Sequence, residues 1–99
     1  MTDAEKLASF VTGVTYDDLT HDARPQLKIR VLDALGCAIG ALGSEIAPHL
    51  RAHTDELNGH GRCTLIGGGR SAPDRAAFFN SALVRYLDFN DSYLAKDET

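Results

Sequence analysis

In LVRYLDFNDSY, residues 83–93, two carboxylates, Asp88 and Asp91, and a hydroxyl, Ser92, follow directly on an apolar run. On a helix continued through them, Val84, Asp88, Asp91 and Ser92 fall on one side, so the acids extend a stripe that begins apolar. Burial and mutual repulsion raise the pKa of at least one carboxylate in such a close pair, which proton transfer near neutral pH requires. The same spacing fits a fraying helix end with its acids in water, and spacing alone leaves both readings open.

Other candidate groups carry less. Gly67-Gly68-Gly69 before Arg70 and a helix start could cradle an anion, because free N–H groups at a helix N-terminus attract negative charge. The triplet lacks both the Lys-Ser/Thr of a P-loop and the spaced glycines of a dinucleotide site, so a plain turn is the expectation. His49 and His53 stand at an i,i+4 spacing that can bind a metal, but Arg51 and Ala52 leave no Glu for an HExxH base. A solvated helix face with no metal is expected there. Cys37 lies in apolar ALGCAIGAL and reads as a buried thiol, and neither it nor Cys63 is placed as a nucleophile.

Four helices are predicted to position these residues, an all-α unit. Leu7, Phe10, Val11 and Val14 recur at helical steps after Thr2-Asp3, which predicts a first helix over about residues 3–13, with Gly13 as its stop. Thr20 and Asp22 offer caps to a second, with Pro25 near its start, Leu27, Val31, Leu35, Ala38 and Leu42 along one face, and Gly43 at its end. Ile29, Leu32 and Ile39 widen that stripe, and Gly36 with Gly40 makes a small-residue ridge for a close helix contact. A third helix is predicted over Ala47 to Leu57, with Pro48 in its first turn and Asn58-Gly59 as its stop. RCTLIGGGRS, residues 62–71, reads as a strand-like connector and turn rather than a sheet. Ser71-Ala-Pro-Asp74 fits a capping box for a fourth helix, its face marked by Ala76, Phe79, Ala82, Leu83, Tyr86 and Leu87.

The chain's 99 residues suffice for one small domain, and 43% hydrophobic with 24% charged residues describes an ordinary globular sequence. A net charge of -4 with scattered basic residues argues against a nucleic-acid partner. Asp3 and Glu5 stand where a signal peptide needs positive charge, and no apolar run approaches the roughly 20 residues of a membrane span. A cytoplasmic protein without membrane contact is expected.

LDALGCAIGAL, residues 32–42, and CTLIGGGRSAPDRAAFFNSALVRYLDFND, residues 63–91, resemble in content and order the N-terminal region of the MmgE/PrpD family, which contains 2-methylcitrate dehydratases and cis-aconitate decarboxylases. LVRYLDFNDSYLAK is most similar to the dehydratase branch. The resemblance implies a helical-domain fold, lyase activity on small tricarboxylic acids, and a site between this domain and a second, lid-like one, without an iron-sulfur cluster or other cofactor. It implies that Asp88 does acid–base or substrate-orienting work, that Asp91 is its supporting acid, and that Ser92 takes the place of a threonine able to touch substrate. It also implies that residues 1–99 are the N-terminal part of a longer helical domain, with the His-Pro-Ser element and the lid domain absent, so that the chain alone is inactive.

The competing reading is a small helical interaction module that self-associates through exposed core faces. Asp88 discriminates, since a site needs its carboxylate in a cleft and a module leaves it in water. On either reading the wide apolar stripe of the second helix predicts a homo-oligomer.

Overall fold

A computed structural model describes residues 1–57 and 61–92. The chain runs α1 (Asp3–Gly13), a 3-10 turn (Tyr16–Asp18), α2 (Ala23–Ala41), α3 (Ile46–Glu56), β1 (Cys63–Thr64), β2 (Arg70–Ser71) and α4 (Pro73–Tyr86). The fold is mostly helical, as the periodicity predicts.

α1 starts on a reciprocal cap, in which the Thr2 N–H donates to Glu5 Oε2 at 2.6 Å and the Glu5 N–H donates to Thr2 Oγ1 at 3.1 Å. The Thr2 backbone N–H, and secondarily its hydroxyl, hold the Glu5 carboxyl below its ordinary value. Because the folded value is depressed, this stabilisation is present above the ordinary carboxylate range and lost as pH falls through the lowered folded value. First-turn amides of α1 are therefore expected to exchange faster on acidification through that range, and Glu5→Gln is expected to remove the pH dependence. An acid-insensitive first turn in the unmodified chain would contradict the cap.

The core lies where α2, α3 and α4 meet the hairpin. Ala38 and Ala41 of α2, Ala47 and Leu50 of α3, Leu65, and Ala76, Phe79 and Leu83 of α4 form one buried cluster. The small residues of α2 let α4 approach closely, and Phe79 and Leu83 fill the space. Arg51 of α3 lies over the Phe79 ring, 4.6 Å from its centroid, and donates to the carbonyls of Ile66 and Gly68. Asn80 clamps the hairpin from the other side: its Oδ1 accepts from the Ile66 N–H and its Nδ2 donates to the Thr64 carbonyl, both at 2.9 Å.

The connector is a minimal antiparallel hairpin, Cys63 opposite Ser71 and Thr64 opposite Arg70, where a strand-like segment without a sheet was expected. Gly67, Gly68 and Gly69 make its turn, all at positive φ. At Gly67 a side chain is doubly excluded, since φ is +94° and a Cβ would stand 2.8 Å from Leu42 Cδ2.

Three further sequence expectations change. Ser71 does not cap α4: it belongs to β2, its buried hydroxyl has no protein partner among the described residues, and Ala72 occupies the cap position ahead of Pro73. A residue before proline is held extended, and Ala72 sits at ψ 156°, so the helix cannot begin earlier. The second change concerns α2, whose predicted stripe is buried only toward its C-terminal end, at Cys37, Ala38 and Ala41, whereas Leu27, Val31 and Leu35 are exposed. Third, α4 stops at Tyr86 and does not carry the acids on a helical face. The Asn58-Gly59 stop predicted for α3 lies outside the described residues.

Candidate functional site

α4 ends because Asp88 adopts a left-handed backbone, φ +58°, the only non-glycine residue described with positive φ. Short polar side chains tolerate that conformation better than branched or bulky ones. Its N–H still closes the last turn by donating to the Arg85 carbonyl at 3.2 Å. Arg85 then ties the turn from outside: Nη2 reaches Asp88 Oδ1 at 3.1 Å and Nη1 donates to Asn90 Oδ1 at 2.9 Å. Asn90 Nδ2 in turn donates to the Val84 carbonyl at 2.8 Å, capping a helix-end oxygen that would otherwise need water.

Beyond this turn the chain lies back over α2. Asp33, Gly36, Cys37 and Gly40, at i, i+3, i+4 and i+7, share one face of α2 and with Leu87 and Phe89 line an open cavity of about 380 Å³. Gly40 is glycine for a packing reason, since a Cβ there would stand 3.1 Å from Leu87 Cδ1. The predicted glycine ridge therefore receives the end of α4, and Gly36 leaves open space in the cavity wall. At the other end the Asp91 N–H donates to Asp33 Oδ2 at 3.3 Å, while Asp91 Oδ2 pairs with Arg30 Nη1 at 3.2 Å.

Asp88 and Asp91 therefore have different surroundings. The Asp88 side chain is 82% exposed and its partner Arg85 is also exposed, whereas the Asp91 side chain is 38% exposed and held to α2. Ser92 is exposed. In isolation the described surface leaves Asp88 in water, the arrangement expected of a module rather than of a finished cleft. Arg30, Asp33 and Asn90 were not singled out from sequence. The i,i+3 relation of Arg30 to Asp33, continued by Gly36 and Gly40, was the signal available for the first two.

The weaker candidates resolve into packing. Carbonyls of the glycine turn face Arg51, and His53 is tilted against Phe78 with ring centroids 5.6 Å apart. Among the described residues no three His, Cys, Asp or Glu side chains converge as metal ligands. Cys37 is a buried free thiol beneath the cavity and Cys63 a half-buried one. No single described helix is long and apolar enough to cross a membrane.

A helical unit in which an acidic turn is docked on a glycine-bearing helix face presents polar groups at one edge. The MmgE/PrpD N-terminal domain matches residues 5–99, and the chain belongs to that family. No curated protein and no solved structure gives a significant match.

Proposed function

We propose that this chain supplies one wall of a hydro-lyase site of the 2-methylcitrate dehydratase type, with Asp88 as the acid–base or substrate-orienting group, Asp91 as its support and Ser92 as a substrate contact. The observation that carries the reading is the fixed turn at Asp88: a left-handed backbone and the Arg85–Asn90 brace present a carboxylate outward from a folded edge. Dehydration of a β-hydroxy acid requires a base to take the carbon-bound proton while that bond's electrons form the double bond. The hydroxyl leaves from the neighbouring carbon and is protonated to water. One carboxylate can take or return one proton. A second proton-transfer group, cations for a tricarboxylate and a cover that excludes water must approach Asp88 from outside the described surface. Turnover of 2-methylcitrate by the protein that carries this domain, compared with its Asp88→Asn variant, tests the assignment.

Exposed apolar surface favours a second property, self-association. No residue of α1 is buried, and Leu7, Phe10 and Val11 on α1 with Leu27, Ile29, Leu32, Leu35 and Ile39 on α2 are exposed. Apolar surface of this extent is uncommon on a soluble monomer. The isolated chain is expected to sediment at equilibrium as a dimer or larger species at micromolar concentration. A sole species at the 10.7 kDa monomer mass with a cooperative melt would exclude it.

A further inference from the structure

We infer that Arg30 and Asp33 of α2 are positioning residues for the Asp88–Ser92 segment, docking the strand of chain that carries the acids so that Asp88 keeps one orientation. Two independent contacts converge on Asp91: its N–H donates to Asp33 Oδ2 and its carboxylate meets Arg30 Nη1. Leu87 anchors the segment's other end on Gly40. Gly40 and Asp33 are two helical turns apart on one face, so the chain from Leu87 to Asp91 is tethered at both ends across the cavity that Gly36 and Cys37 floor. Without the Asp33 and Arg30 tether the segment keeps Leu87 on Gly40 and the Arg85–Asn90 brace, and no contact among the described residues holds Asp91 to α2. Asp33 thus acts on the segment through the Asp91 backbone and Arg30 through the Asp91 carboxylate, and neither bonds Asp88.

The inference rests on the assignment of Asp88 and Asp91 to the site, but its test reads backbone order rather than turnover, so either can fail alone. In the ¹⁵N-labelled 99-residue chain, Asp33→Ala is expected to speed amide exchange at Asp91 about five-fold, the scale of one net hydrogen bond. It is also expected to lower the heteronuclear NOE of Phe89 and Asp91 and to leave exchange in α3 and α4 unchanged. Asp33→Asn retains an acceptor oxygen and is expected to recover most of the protection. Arg30→Asp is expected to loosen the segment, and the swapped pair Arg30→Asp with Asp91→Arg to restore its order, a rescue that a general packing role does not give. Should Asp33→Ala fail to fold, Arg30→Gln, which removes only the Arg30–Asp91 ion pair, is expected to lower the same NOEs. Unaltered Asp91 exchange and unaltered NOEs in the folded Asp33 or Arg30 variants, or a swapped pair no better ordered than Arg30→Asp alone, would overturn the inference.

Discussion

Phe79→Ala is expected to destabilise the domain by about 3–5 kcal/mol, the range for removing a fully buried phenylalanine without collapse of the site. Phe79 has no exposed surface and lies at the junction of α2, α3, α4 and the hairpin, so its removal opens a cavity bounded by several elements at once. The Arg51 guanidinium also loses the ring it stacks on and keeps only its two carbonyls. Total stability for a domain of this size is on the order of 5–15 kcal/mol, so the loss is a large share of it. Urea titration followed by far-ultraviolet CD should show the midpoint falling steeply or no folded baseline. The neighbouring Phe78→Ala is the control: Phe78 is more than half exposed, and a change within about 1 kcal/mol is expected. Equal losses at the two positions would mean that the core is not where the packing places it.

Much of this core was readable from periodicity. Ala76, Phe79 and Leu83 recur at helical spacing, and all three are buried. Thr2 and Gly13 bracket α1 because a cap hydroxyl and a flexible stop act locally, on residues within one turn. The N-terminal half of α2 was legible as a helix whose wide stripe exceeds its cover within the chain, but which residues stay exposed was not, since an apolar stripe records what a helix can bury and not which part of it is met. Ser71 misled for a different reason. Its type suits a cap, but its backbone is committed to Cys63 across the hairpin, a pairing set by the glycine turn between them rather than by Ser71 itself.

The candidate acids were legible by residue type, and their geometry was not. Asp88, Asp91 and Ser92 stood out by type, yet the shared helical face required α4 to continue, and Asp88 turns the chain instead. The run Asp-Phe-Asn-Asp is poor in strong helix formers, and its Asp and Asn side chains compete for backbone groups, which is the physical reason that helix ends there. Docking of Asp91 on Arg30 and Asp33 joins positions 58 or more residues apart in sequence, and no local pattern encodes such a contact. The same turn that separates the acids also gives them distinct surroundings, one held on α2 and one facing outward.

Asp88→Asn in the active protein carrying this domain is expected to lower kcat for 2-methylcitrate by about 10²-fold or more, the usual scale for a general acid–base group. Asn keeps the side-chain shape and tolerates the left-handed backbone, so the turn at φ +58° survives while proton transfer is lost. Asp91→Asn is expected to act more mildly, through weakening of the Arg30 pair and hence of the segment's position. The isolated 99-residue chain is expected to give no measurable turnover, because among the described residues Asp88 stands in water without an opposing acid, a cationic clamp for three carboxylates or a cover. Groups that act as a unit lose nearly all their effect when several are missing. The most direct measurement is the ultraviolet absorbance of the unsaturated product during incubation with 2-methylcitrate, with active protein and its Asp88→Asn variant at matched folded concentration. The assignment predicts steady product formation by the unmodified protein and a rate about 10²-fold lower in the variant; an unimpaired Asp88→Asn enzyme would contradict it.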